Sequence, residues 1–156
     1  MMIDRILFCA AAAAERVARN DAIRRDRNLI ARYPNEAAHN KARAKALDDL
    51  RASVRVSKER IALLNVERKP LLDEAEFYVG KPLPSKLKLA LDANDASLDA
   101  QKALIQNQEA ESVRINALYD VELARLRKLW AGAPPGSLGP PPGPAAAAPA
   151  ERTATR

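Results

Sequence analysis

Cysteine is almost missing from this chain, and two ways of holding a small protein together go with it. Cys9 stands alone among 156 residues, so no internal disulfide can form and no cysteine-based metal cluster can be assembled. Histidine is as scarce. His39 has no second histidine to share an ion with, and its alanine-rich surroundings place it on a solvated first turn of a helix. The aromatics are only Phe8, Tyr33, Phe77, Tyr78, Tyr119 and Trp130; few side chains can each bury a large area, and a thick globular core is not expected. No apolar run approaches the ~18 residues that a membrane-spanning helix needs.

The familiar catalytic signatures are missing as well: there is no Gly-rich phosphate loop, no Cys-x-x-Cys, no Gly-x-Ser-x-Gly and no His-Glu-x-x-His. Asp73-Glu-Ala-Glu76 is the compact run of carboxylates, but helical spacing spreads Asp73 and Glu74 around the surface, with no His or Cys beside them. The sequence thus offers no catalytic, cofactor-binding or metal-ligating residues and no small-molecule site. It reads as a non-enzyme without cofactors.

An excess of one charge sign is also lacking along most of the chain, although it carries a net +6. Residues 35–80 hold nine basic and eight acidic groups and residues 81–131 eight and seven, so both stretches are close to neutral. A nucleic-acid binder gathers its basic residues on one face to neutralise phosphates, whereas here the signs are interleaved. Residues 1–34, with seven basic and four acidic groups, are the exception.

What is present is alanine and leucine mixed with charged residues and glutamine, the composition of long helices with a narrow buried seam. Proline and glycine divide the chain. Seven of eleven prolines and four of five glycines fall in 132–156, which predicts a disordered, proline-rich tail with polyproline II character. Between Pro34 and Gly80, and again between Pro84 and Gly132, run two stretches of similar length around a Gly80-Lys-Pro-Leu-Pro84 connection. This is the pattern of an αα-hairpin. Asn35 and Ser85 are the expected N-caps, and Gly132 the expected terminator of the second arm.

Steps of three and four residues trace a seam along each arm. On the first it runs Leu47, Leu50, Val54, Ser57, Ile61, Leu64, Arg68, Leu71, Ala75 and Tyr78. On the second it runs from Leu87, Leu91, Asn94 and Leu98 through Gln101, Ile105, Gln108 and Ser112 to Ile115, Tyr119, Glu122, Leu126 and Leu129. Folding one arm onto the other about residue 82 opposes Tyr78 to Leu87, Ala75 to Leu91, Ile61 to Ile105, Ser57 to Gln108, Leu50 to Ile115 and Arg43 to Glu122. Pro70 conflicts with a regular first arm, since it lacks a donor and clashes with the preceding turn; the seam keeps its phase beyond it, which predicts a kink. The fold class is therefore all-α: a long, coiled-coil-like antiparallel hairpin over 35–131 with its turn at 80–84, an additional N-terminal helix over 1–33 that packs loosely, and the tail. Within 1–33 the apolar stripe loses phase around Arg16 to Asn20, and Arg24-Arg-Asp-Arg27 reads as a solvated face.

The stretches Arg25-Asp-Arg-Asn-Leu-Ile-Ala-Arg-Tyr-Pro-Asn-Glu-Ala-Ala-His39, Glu67-Arg-Lys-Pro-Leu-Leu-Asp-Glu-Ala-Glu-Phe-Tyr78, Gly80-Lys-Pro-Leu-Pro84, Leu91-Asp-Ala-Asn-Asp95 and Arg114-Ile-Asn-Ala-Leu-Tyr-Asp120 resemble the helical C-terminal region of a group of uncharacterised proteobacterial envelope proteins. The resemblance covers about residues 20–138. Members of that group usually carry a signal peptide and a small Cys-bearing domain of unknown function ahead of the helices. Neither is recognisable here: Asp4 sits where a signal sequence needs basic residues, and its apolar stretch is short. The resemblance implies a periplasmic or cell-envelope location if a leader precedes this start, and a cytoplasmic one otherwise.

The expected function is that of a non-catalytic structural or interaction protein, a coiled-coil partner or self-association module, because Gln101, Gln108 and Ser112 interrupt the seam and leave a lone hairpin incompletely covered. The partner expected is protein, either its own copy or another helix. The alternatives are nucleic-acid or anionic-surface binding through the Arg-rich segment Arg16 to Arg32, and an all-α enzyme with a site between subunits.

Overall fold

A computed structural model describes residues 2–140. Among these the chain is all-α: α1 (Met2–Arg32), α2 (Glu36–Ala75), a short 3-10 turn (Glu76–Tyr78) and α3 (Ser85–Trp130), with no strand. The boundaries follow from local chemistry. The Asn35 carboxamide oxygen accepts the Ala38 N–H at 2.9 Å, so the expected N-cap forms. Ser85 does not cap α3. It is the first helical residue, and the Pro84 carbonyl accepts the Lys88 N–H at 2.9 Å to close the first turn. Proline suits the position before a helix because it needs no donor there.

α3 ends as the sequence predicts. Gly132 takes φ +108, and the N–H groups of Gly132 and Ala133 donate to the carbonyls of Leu129 and Lys128, both at 3.1 Å. This pair of backward bonds satisfies carbonyls that the helix end would leave bare, and its positive φ suits glycine. α2 runs through Pro70 unbroken; its packed seam residues hold it helical against the missing hydrogen bond.

The chain divides into two compact units. One is Ala44–Ile115; of the described residues, the other joins 2–43 to 116–140. In the Ala44–Ile115 unit, α2 and α3 form the expected antiparallel hairpin. The predicted seam positions of both arms are all buried or half-buried, with Leu64, Leu87, Leu98, Ser57 and Asn94 the most deeply covered. The register differs from the expected one by a helical turn. Gln108 donates to the hydroxyl of Ser53, not Ser57. Likewise Asn94 donates to the Leu64 carbonyl at 2.8 Å, and Arg68 reaches Asn94 at 3.0 Å and Asp95 as well. The cause lies at the turn: α2 loses its α-helical form at Ala75, and the 3-10 turn and the Gly80 bend take up the next residues, so the arms fold about a point nearer Gly80 than residue 82.

In the other unit, the last part of α1 packs with the start of α2 and the end of α3. Its core is Ala22, Tyr33, Leu123, Leu126 and Leu129, with Asp26 and His39 enclosed among them. The N-terminal helix, expected to pack loosely, is tied down near its C-terminal end by the Asp26–Arg125 ion pair, while residues 2–11 and 13–20 are exposed. The segment after Gly132, expected to lack fixed structure, is bonded to α1 through Gly136 and to α3 through Gly139; the remainder of the predicted tail, 141–156, lies outside the described residues.

Candidate functional site

The buried polar groups of the unit formed by residues 2–43 and 116–140 are its most chemically distinctive feature. Asp26 is only 1% exposed. It accepts two bonds from the Arg125 guanidinium, at 2.7 and 3.0 Å, and one from the Gly136 N–H at 2.7 Å. Arg125 also donates to the Gly139 carbonyl at 2.8 Å. Burial pushes the Asp26 carboxyl upward, but the Arg125 and Gly136 hydrogen bonds and the Arg125 charge outweigh it and hold the group below its ordinary value. Gly136 is required where it stands: its φ is +84, and a Cβ there would lie 2.6 Å from Ile23 Cγ1. Arg24-Arg-Asp-Arg27 is thus not a uniformly solvated run, because its acid is the anchor for α3 and for the Gly-Pro segment.

His39 is likewise not solvated. It is fully buried, with Nε2 at 2.9 Å from a Glu122 carboxylate oxygen and its ring edge-on to Tyr33 and Tyr119. Its Nδ1 is buried without a partner. The expected mate of Glu122 was Arg43, one helical turn later on α2, so the register differs here by the same step as in the hairpin. Arg43 bonds instead to Asn116 at 2.7 and 2.9 Å and to Asp120 at 2.7 Å. Tyr33 feels both burial and the Glu122 charge, which raise its hydroxyl above the ordinary range. Trp130 donates to the Tyr33 carbonyl at 3.0 Å, and Arg127 grips Glu36 at 2.6 Å.

Beside this cluster lies a cleft of about 790 Å³ whose walls include Arg25, Asn28, Arg32, Val121 and Glu122. Its charged groups are mostly committed: Asp26 and Arg125 to each other, Glu122 to His39. The arrangement is a set of charged and hydrogen-bonded pairs that fix three helices in place, with the buried His39 Nδ1 left over. Sequence reasoning missed both Asp26 and His39. The signal existed: Asp26 lies on the stripe Ala22, Asp26, Leu29, Tyr33, and extending the α2 seam one turn back from Arg43 reaches His39.

The other positions singled out by sequence are dispersed. Asp73 pairs with Lys69 at 3.2 Å on the surface, and Cys9 is exposed on α1. Among the described residues no group of His, Cys, Asp and Glu is arranged to hold a metal, and no helix is long and apolar enough to cross a membrane. No protein-family model, curated protein or solved structure matches the chain.

Proposed function

We propose that the chain is a non-catalytic helical interaction module that associates with its own copies through the hairpin, in the bacterial cell envelope as the resemblance implies. One observation carries the reading. Val56, Leu63 and Val66, spaced by seven and three residues, form a stripe on α2 that is 61%, 56% and 71% exposed. The hairpin behind it buries only three large apolar side chains deeply, Leu64, Leu87 and Leu98. Covering the stripe supplies the burial that such a thin seam lacks, since each large aliphatic side chain withdrawn from water contributes about 1.5–3 kcal/mol.

Charge supports a like partner. Glu59, Arg60 and Glu67 flank the stripe, and Arg60 already reaches Glu67 at 3.6 Å. Both signs are present on one face, so a second copy meets groups it can pair with. The experiment is sedimentation velocity on the full chain and on its Leu63→Glu variant. Association that weakens at least about tenfold in the variant supports the stripe as the interface; identical behaviour of the two proteins overturns it.

A further inference from the structure

Helix α1 presents two faces that differ in what they meet. Its packing face, traced by Ala22, Asp26, Leu29 and Tyr33, is turned into the unit's core. The stripe on the far side runs in the same three- and four-residue steps through Ile3, Ile6, Leu7, Ala10, Ala14 and Val17. Its bulky members are 60–73% exposed. Carried forward along the helix, this stripe changes character: it continues through Asp21, Arg24, Asn28 and Arg32, with Arg25 and Arg27 at its edges, all of them exposed except the half-buried Asp21, and Arg25, Asn28 and Arg32 stand at the rim of the cleft bordered by Val121 and Glu122. The acid in this basic half, Asp26, is turned inward and already neutralised by Arg125, and Asp21 is taken by Arg24 at 2.8 Å.

A single outward face that is apolar in its first half and cationic in its second selects its occupant. A second copy of α1 does not match it along its length: side by side in parallel the arginines face arginines, and fully overlapped in antiparallel the apolar half faces the cationic half. A nucleic acid satisfies the arginines and leaves the aliphatic stripe wet. An anionic lipid surface satisfies both, because it offers an acyl boundary and phosphate headgroups in one plane. We propose that this face of α1 docks on an anionic membrane surface, with Ile3, Ile6, Leu7 and Val17 at the acyl boundary and Arg24, Arg27 and Arg32 at the headgroup phosphates. The helix lies on the membrane and does not cross it. The inference is independent of the hairpin stripe.

The test is co-sedimentation of the full chain with vesicles of phosphatidylcholine alone and of phosphatidylcholine mixed equally with phosphatidylglycerol. Expected is binding to the mixed vesicles, weakened by salt and at least about tenfold weaker in an Ile6→Asp/Leu7→Asp variant; an Arg24→Glu/Arg27→Glu variant loses binding too. These side chains are exposed, so circular dichroism should show unchanged helix content in both. As a second measurement, an environment-sensitive dye on Cys9, the sole cysteine, should shift to the blue on mixed vesicles. Equal binding to neutral and anionic vesicles, wild-type binding by either variant, or capture of duplex DNA without capture of vesicles overturns the proposal. A doubled mass that Ile6→Asp/Leu7→Asp abolishes, with no vesicle binding, overturns it in favour of a second copy.

Discussion

At the residue scale, the decisive side chain is Asp26. A carboxylate 1% exposed is tolerable because three donors surround it. Asp26→Asn leaves Arg125, itself only 13% exposed, without its counter-charge. It should cost about 3 kcal/mol in urea unfolding; a loss under about 0.5 kcal/mol, the range of an ordinary surface change, would show that the pair does not anchor α1. The same pair sets a pH dependence. The Asp26 carboxyl is held below its ordinary value of 3.8, and Glu36 is held down by its bond to Arg127. Folding therefore releases their protons more readily than the unfolded chain does, so their stabilisation is complete above the ordinary carboxylate range and is lost as pH falls through the lowered values. Thermal melts at stepwise lower pH should show Tm declining below about pH 4, and the Asp26→Asn variant should decline less.

At the scale of the element, Pro70 is a cost that α2 carries. The helix continues past it to Ala75, so Pro70→Ala restores a hydrogen bond and removes a clash without altering the seam. It should stabilise the chain by about 1–3 kcal/mol, read as a higher urea midpoint at unchanged slope; a lower midpoint would mean that the proline's local geometry is needed. The elements also show which structural information was readable. Helix limits at Asn35 and Gly132 and the full membership of both seams were legible, because capping chemistry and three-four periodicity are local. The register was not, since sliding one arm by four residues keeps the same stripe facing inward and periodicity is blind to it. Only the length consumed at Glu76–Tyr78 and Gly80 decides the register, and that depends on where α2 gives way. The burial of His39 and Asp26 was obscured for a related reason: their partners, Glu122 and Arg125, lie 83 and 99 residues away, and a polar residue on a stripe resembles a wet surface until its partner is known.

At the scale of the whole molecule, stability comes from different sources in the two units. The Ala44–Ile115 hairpin relies on a narrow seam with polar layers at Ser53 and Gln108 and at Arg68 and Asn94. The unit of residues 2–43 and 116–140 relies on cross-helix pairs around Leu126, which is fully buried. Large exposed aliphatic residues persist on the hairpin in a stripe, Val56, Leu63 and Val66. As proposed, this stripe brings copies of the chain together. The most direct measurement is light-scattering mass of the unaltered chain across a micromolar concentration series without lipid. The mass should rise from 17.0 kDa toward at least twice that value as concentration increases; a mass fixed at 17.0 kDa at every concentration would rule out association through the stripe.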